Sequence, residues 1–140
     1  MSKITWRLAC LLACAFFVAC SNDDNTTPTV DPQAPTSGTW RVSLFSERGN
    51  DETGDFSGYT FTFNANNTAV AAKGGASKNG SWSIGNSSRE FNIDFGEKSD
   101  ANKPLGELTD DWEIISVSSN EIKLKDDNDD SAEFLTFTKN

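Results

Sequence analysis

The sequence predicts an all-β fold in which eight antiparallel strands follow one another up and down and close into a barrel. From Gly38 onward, apolar residues alternate with polar ones in short runs, which is typical of strands that bury one face. Residues that favour tight turns separate most of the runs. A meander of eight strands can remove its exposed edges by closing on itself, so a barrel is the expected architecture.

Each predicted strand is marked by apolar residues at alternate positions. In chain order these are Trp40, Val42 and Leu44; Tyr59, Phe61 and Phe63; Val70 and Ala72; Trp82 and Ile84; Phe91, Ile93 and Phe95; Trp112 and Ile114; Ile122 and Leu124; Leu135 and Phe137. Turns are predicted at Asn66-Asn67, Gly74-Gly75, Asn79-Gly80, Gly85-Asn86, Ser119-Asn120 and residues 126–130. The alternation slips by one residue between Ile114 and Ile115, which predicts a β-bulge there.

Two connections are longer than a tight turn. Residues 46–58 are polar and rich in glycine, so we expect a mobile loop in which Phe56 makes the one apolar contact. The second connection, residues 96–111, contains Pro104, Leu105 and Leu108, which predict one short helical turn around residues 104–110. We expect this turn to cover one end of the barrel, with both leucines facing inward.

The first 37 residues differ in composition from the predicted barrel. Lys3 and Arg7 precede an unbroken apolar run at residues 8–19, which as a helix would extend about 18 Å, against roughly 30 Å for a bilayer core. Residues 1–19 are therefore predicted to be a secretory signal. Residues 20–37 are rich in Pro, Thr, Ser and Asp and are predicted to form a disordered tether. The barrel domain is assigned to residues 38–140.

The three cysteines all lie in or just after the predicted signal, at Cys10, Cys14 and Cys20. Only Cys20 remains once residues 1–19 are removed, which excludes an intramolecular disulfide and leaves a free or intermolecularly paired thiol as one alternative. FVAC at residues 17–20 resembles the lipobox of bacterial lipoproteins. LLAC at residues 11–14 is also similar, but cleavage there would leave the apolar segment AFFVA at the new amino terminus.

The lipobox resemblance implies that Cys20 carries a diacylglycerol and further acyl chains such as palmitate, which attach the protein to the outer membrane. Two or three acyl chains give a stable anchor, whereas one chain binds only reversibly. Asp23 and Asp24 resemble the acidic export signal of surface-exposed lipoproteins in the Bacteroidetes group. A cell-surface and a periplasmic orientation both remain open.

A GxW motif at Gly38-Thr39-Trp40 opens the first predicted strand, and FTFN, GSWSI, LTDDWEIISVS, EIKL and FLTFTK follow in order. Together these segments resemble the lipocalin-like domain family of secreted Bacteroidetes lipoproteins over residues 38–140. The resemblance implies that Trp40 closes the floor of the barrel and that Lys139 packs against it.

Composition argues against two classes of function. Removal of residues 1–19 leaves ten basic and twenty-one acidic residues, a formal net charge of −11, which opposes nucleic-acid binding. The chain has no histidine, and its paired acids lie in predicted loops, so we expect neither catalysis nor a cofactor. Asp126, Asn128 and Asp130 have the spacing of a calcium loop. Ser131 and Phe137, however, stand where glycine and glutamate are expected, so a solvated hairpin tip is predicted and no metal site.

Aromatic residues are the remaining candidates for a binding function. Six residues could line a small apolar cavity: Phe61, Phe63, Trp82, Phe91, Ile93 and Trp112. The same side chains could equally fill the barrel, because an eight-stranded barrel is just wide enough for its own side chains. Two hypotheses follow. The protein is either a lipid-anchored module that binds a small hydrophobic ligand, or a structural or interaction lipoprotein with a filled barrel. The sequence leaves the oligomeric state open.

Overall fold

The computed structural model describes residues 27–128 and 130–140. These residues form ten strands: β1 (Thr29–Val30), β2 (Trp40–Glu47), β3 (Asn50–Asp51), β4 (Thr60–Phe63), β5 (Thr68–Lys73), β6 (Ala76–Ile84), β7 (Glu90–Asp94), β8 (Asp110–Val117), β9 (Glu121–Lys125) and β10 (Phe134–Lys139). Four short 3-10 helices lie between them, at Ala34–Thr36, Thr53–Phe56, Asp100–Asn102 and Leu105–Leu108. No helix in this part of the chain is long and apolar enough to cross a membrane.

Eight of the strands form a closed antiparallel barrel. Hydrogen-bonded neighbours follow the order β8, β7, β6, β5, β4, β2, β10 and β9, and pairing between β8 and β9 closes the ring. The two remaining strands are accessory, because β3 pairs only with the end of β2 and β1 lies parallel to the end of β8. The predicted all-β class, the up-and-down topology and the eight barrel strands are confirmed.

The barrel interior is the hydrophobic core. Its largest fully buried side chains are Trp40, Trp112, Phe45, Phe61, Phe63, Phe91, Phe95 and Phe137. Removing one such side chain from water contributes about 1.5–3 kcal/mol to folding, so this set supplies a large part of the favourable free energy.

The inward face of β2 differs from the prediction in its second half. Leu44, expected inside, is 38% exposed, whereas its neighbour Phe45 is 2% exposed. The pairing with β10 explains the reversal, because Val42 lies opposite Phe137 and Leu44 lies opposite Thr136, which leaves Ser43 as an extra residue. An extra residue in one strand exchanges inward and outward positions beyond it. The apolar residues at 44 and 45 conceal this bulge in the sequence.

On β5 the prediction placed the wrong residues inside. Ala69 and Ala71 are buried, whereas the predicted Val70 and Ala72 are only partly buried. In the pairing with β4, Ala69 lies opposite Phe63 and Ala71 lies opposite Phe61. The two phenyl rings occupy the interior on this side, and small residues opposite them leave the necessary room.

Gly80 does not form the predicted turn with Asn79, since both residues lie within the long strand β6. A Cβ atom at Gly80 would collide with the carbonyl oxygen of Asp94 and would lie 2.7 Å from Cδ1 of Phe95. Glycine within a strand often marks such a close approach of another chain segment. The prediction of a turn was therefore wrong, and Gly80 serves the packing of Phe95.

The predicted β-bulge in β8 is confirmed. Ile114 pairs with Leu124 and Ser116 pairs with Lys123, so Ile115 has no partner of its own across the ladder. Ile115 is 42% exposed, while Ile114 and Val117 are buried. The extra residue thus turns to solvent, and both flanking apolar residues stay in the core.

The folded unit begins before the predicted boundary at Gly38. Val30 pairs with Val117, and the helix Ala34–Thr36 buries Ala34 against the barrel. Residues 29–37 were predicted as tether because they are polar and rich in proline. Backbone pairing and the burial of Ala34 and Pro35 hold them in place despite that composition. The predicted signal, Cys20 and the first part of the tether lie outside the described residues.

Both long connections have structure of their own. The first, predicted as a mobile loop, contains β3 and the helix Thr53–Phe56, and the Phe56 ring lies 5.2 Å from the Phe45 ring in an edge-on contact. In the second, Leu105 and Leu108 are buried on the helix Leu105–Leu108, directly after Pro104. The predicted turn with inward leucines is confirmed, and a second 3-10 helix, Asp100–Asn102, precedes it.

Candidate functional site

The six candidate ligand-binding residues are all buried in the barrel. Phe61, Phe91 and Trp112 have no exposed surface, and Phe63, Trp82 and Ile93 are nearly as well covered. β4 supplies the first two phenylalanines, β6 supplies Trp82, β7 supplies Phe91 and Ile93, and β8 supplies Trp112.

Phe63 lies at the centre of a dense group of rings. Its ring centre is 5.5 Å from those of Trp82 and Phe91 and 5.4 Å from that of Phe137. Phe61 adds a further edge-on contact with Phe137 at 5.3 Å. These separations are typical of aromatic pairs in direct contact, and such pairs contribute about 0.5–1.5 kcal/mol beyond area burial. Phe63, Trp82 and Phe91 therefore pack on one another, and both Phe61 and Phe63 pack on Phe137 of β10.

The polar atoms of the buried tryptophans are used within the fold. Nε1 of Trp82 donates to the carbonyl oxygen of Asn64 at 2.9 Å, and Nε1 of Trp112 donates to that of Leu108 at 3.0 Å. Buried indole N–H groups need such partners. Neither group is left to orient a ligand, and the Trp112 bond also fixes the covering helix Leu105–Leu108.

Trp40 and Lys139, the two predicted barrel-floor residues, lie together at the end of the barrel opposite the helix Leu105–Leu108. The Lys139 Nζ atom lies 5.4 Å from the centre of the Trp40 ring, and Nε1 of Trp40 donates to the carbonyl oxygen of Pro35 at 2.9 Å. Lys139 also donates to the Ser37 hydroxyl at 3.0 Å. The segment before β2 thus covers this end and takes part in its closure.

An acidic cluster that the sequence did not predict lies where three chain segments meet. Carboxylate oxygens of Asp110, Asp126 and Glu133 lie within 4.8 Å of one another. Lys98 approaches the same cluster and pairs with Asp110 at 2.6 Å. Asp126 and Glu133 flank the same hairpin, whereas Asp110 is distant in sequence, so only the barrel closure that brings β8 beside β9 could reveal the cluster. The lysine supplies positive charge that a bound cation would otherwise supply.

The charged groups in this cluster shift one another's pKa values. Burial raises the pKa of Glu133, Lys98 opposes the shift, and the negative charges of Glu47, Asp126 and Asp110 add to it. Burial disfavours the charged form of Lys98, but its hydrogen bond to Asp110 and the surrounding carboxylates hold the pKa of Lys98 above its ordinary value. In this cluster, the single positive charge of Lys98 therefore partly offsets the negative charges of the carboxylates.

The calcium-like spacing after β9 does not form a ligand set in the described residues. The Asn128 N–H donates to Oδ1 of Asp126 at 3.2 Å, and the Asp130 N–H donates to Oδ1 of Asn128 at 3.2 Å. Phe137, at the position where the last ligand would be expected, is buried in the barrel. These side chains close the hairpin tip through backbone contacts typical of Asx turns.

A basic cleft at the mouth of the barrel was also missed by the sequence analysis. Its volume is about 290 Å³, and it is lined by Tyr59, Ala71, Lys73, Ala76, Ser77, Lys78, Ala101, Asn102, Lys103 and Leu105. No acidic side chain is among these residues. The available signal was the Gly74-Gly75 turn, since its two-residue hairpin brings Lys73 and Lys78 onto neighbouring strands.

Comparison with solved structures supports the fold. A DUF4847 family protein from Bacteroides vulgatus superposes with a TM-score of 0.56 at 18% identity, over 77% of this chain and 96% of that one. A lipocalin-like protein from Bacteroides uniformis gives a TM-score of 0.54 at 15% identity, over 76% of this chain and 99% of that one. No family model matches the sequence, and no curated protein does either.

At these identities the likeness concerns the fold alone. The described residues have the same fold as the lipocalin-like protein, an eight-stranded antiparallel barrel, which here is closed at one end by the segment before β2. The motif resemblance noted in the sequence therefore corresponds to a shared architecture.

Proposed function

We propose that this protein is a lipid-anchored lipoprotein of the outer membrane whose filled lipocalin-like barrel serves as a structural or interaction module. The observation that carries the second half of this proposal is the contact of Phe63 with Trp82, Phe91 and Phe137 across the interior. The faces and edges of these rings contact one another and are therefore not available to a ligand. Function then belongs to the outer surface and the loops, and no catalytic step is assigned to the chain.

The competing hypothesis is storage or transfer of a small hydrophobic ligand inside the barrel. It would require the ring of Phe63 to separate from those of Phe91 and Phe137. Each lost aromatic contact disfavours that opening by about 0.5–1.5 kcal/mol, before the ligand contributes anything.

A fluorescent fatty acid separates the two hypotheses. We expect no fluorescence enhancement when the probe is titrated into the mature, lipidated protein in detergent, after subtraction of a blank with detergent alone. The matched control is Phe63→Ala titrated with benzene in place of the fatty acid, because loss of one ring opens space only for a molecule of about that size. Saturable binding of the probe to the wild-type protein would replace the filled-barrel proposal with the ligand hypothesis.

The anchor rests on the lipobox resemblance at residues 17–20 and is tested separately. Cells fed an alkyne analogue of palmitate should label the wild-type protein and the Cys14→Ser variant, but not Cys20→Ser. The labelled protein should sediment with outer membranes. Protease treatment of intact cells then distinguishes the two orientations, and replacement of Asp23 and Asp24 by alanine should reduce cleavage if the protein is displayed at the surface.

A further inference from the structure

We propose that the mouth of the barrel holds a binding site for a small anion, a carboxylate, phosphate or sulfate group held between Lys73 and Lys78. This site goes beyond the filled-barrel proposal and does not depend on the anchor at Cys20.

The hairpin register places the two lysines on one face. Lys73 lies opposite Ala76 across the β5–β6 ladder, and Ala71 lies opposite Lys78. Because alternate residues share a face, Lys73 and Lys78 both belong to the face of the buried Ala71. They are diagonal neighbours, and side chains in such positions are about 7–8 Å apart at their bases, close enough for two long side chains to reach one ligand between them.

These two positive charges have no acidic partner among the described residues. Among the residues that the structure describes, no carboxylate oxygen lies within 4.0 Å of the ammonium nitrogen of Lys73 or of Lys78. Four other lysines do pair with an acidic residue: Lys98, Lys103, Lys123 and Lys125. Acidic residues outnumber basic ones by twenty-one to twelve in the whole sequence, so two neighbouring lysines without a carboxylate are unexpected. Like charges on adjacent strands repel, and a bound anion would relieve that repulsion.

The surroundings of Lys78 are fixed by Asn102. Its Nδ2 atom donates to the carbonyl oxygens of Glu97 at 2.8 Å and of Phe95 at 3.2 Å. This leaves Oδ1 to accept a hydrogen bond from the Lys78 ammonium. A Cβ atom at Gly106 would lie 2.9 Å from Nδ2 of Asn102, so glycine is needed there for the connection to pack around the amide.

Lys73 is held on the other side of the cleft. Its ammonium nitrogen lies 4.8 Å from the centre of the Tyr59 ring, a distance typical of a cation–π contact. Lys103 lies at the rim but is already paired, with Asp100 at 3.3 Å and Glu107 at 3.7 Å. The available charge in the cleft therefore comes from Lys73 and Lys78.

The size of the cleft limits the ligand. Ala71, Ala76 and Ala101 leave about 290 Å³ at the mouth, while the interior beneath is occupied by aromatic rings. A long acyl chain has no room below the two lysines. Lysine ammonium groups act as compact charges with rotatable donors, which suits the oxygens of a small carboxylate, phosphate or sulfate. Such a group could be a free inorganic ion or part of an acidic sugar.

Isothermal titration of the full mature protein with inorganic phosphate, sodium sulfate and glucuronate tests this site. We expect saturable binding of at least one anion, and a loss of affinity of about tenfold or more in the variant carrying Lys73→Gln and Lys78→Gln. Binding to the inorganic ions alone would identify a free anion, and stronger binding of glucuronate would identify an acidic sugar. The control is Lys123→Gln, which removes the same charge from β9 and should bind as the wild type does.

A second measurement covers the folding of the variants. At constant ionic strength, a bound anion should raise the Tm of the wild-type protein and of Lys123→Gln by more than that of the double variant, whose increase reports only the general stabilisation by sulfate and phosphate. Far-UV circular dichroism should show the same β content in all three proteins. The proposal is overturned if the wild type binds none of the three anions, or if the folded double variant binds them with unchanged affinity.

Discussion

The side-chain nitrogen of Lys139 lies 5.4 Å from the centre of the Trp40 ring, directly across the β2–β10 ladder. The first and last residues of the barrel strands thus meet at the closed end. Gly38 fits this arrangement closely, because it has a positive φ of 84° and a Cβ atom there would lie 3.0 Å from Cε of Lys139. Lys139, Trp40 and Gly38 together close this end of the barrel.

Loss of the Lys139 side chain should open this closure. We expect Lys139→Ala to lower the free energy of unfolding by about 1–2 kcal/mol, because the cation–π contact and the hydrogen bonds to Ser37 and Ser119 are lost together. Urea denaturation followed by tryptophan fluorescence measures the change. Lys123→Ala, which removes only an exposed pair with Glu121, should change stability by less than about 1 kcal/mol. Equal losses in both variants would refute the role of Lys139.

Gly80 should tolerate no side chain. We expect Gly80→Ala to destabilise the fold by about 1–3 kcal/mol, since the added Cβ meets the Asp94 carbonyl oxygen and the Phe95 ring. Gly54→Ala is a matched control, because no atom lies within 4 Å of its added Cβ and its φ is not positive. Thermal unfolding of the two variants should differ clearly, and indistinguishable Tm values would contradict the packing argument.

Removal of a central ring should create a cavity in the core. We expect Phe63→Ala to destabilise the protein by about 3–5 kcal/mol and to allow binding of benzene or a similar small apolar molecule. Phe134→Ala changes the same side chain at a position that is 41% exposed, so it should do neither. Thermal stabilisation by benzene, measured on both variants and on the wild type, checks the prediction. Stabilisation of the wild type would indicate that its interior already holds space.

Glu133 should make the protein less stable at neutral pH. Its raised pKa means that the folded state binds the proton more tightly than the unfolded chain does, so ionised Glu133 is unfavourable in the fold. That penalty is present at neutral pH and fades as the pH falls through the folded-state pKa. We expect Glu133→Gln to raise the Tm at pH 7, with a gain that vanishes well below 4.5, the ordinary pKa of glutamate.

The corresponding control is the exposed residue Glu97, whose replacement by glutamine should leave the Tm at pH 7 close to that of the wild type. A Glu133→Gln protein that is no more stable than the wild type at pH 7 would show that attraction to Lys98 outweighs burial and the neighbouring carboxylates.

The sequence predicted the fold well because alternation and turn residues are local signals. The eight barrel strands, the bulge after Ile114 and the inward leucines at 105 and 108 all follow from neighbouring residues. The reversal at Leu44 and Phe45 could not be predicted, since both residues are apolar and the pairing with β10 decides which one faces inward. Gly80 was assigned to a turn because its contact with Phe95 arises only between strands.

The acidic cluster and the basic cleft depend on tertiary structure in the same way. Asp110 meets Asp126 and Glu133 only when the barrel closes. Lys73 and Lys78 were closer to a sequence-level prediction, because a two-residue turn sets their register. Their lack of an acidic partner, however, depends on where the connection containing Asn102 packs.

The pairing of β1 with β8 limits how far the domain can stand from a bilayer. In a protein anchored at Cys20, only the nine residues from there to Thr29 precede the first strand, and even fully extended they span about 30 Å. With all of residues 20–37 free, the reach would be about twice as great. The near end of the barrel would therefore remain within about 30 Å of the membrane surface, and a partner would have to come that close to the membrane to meet it.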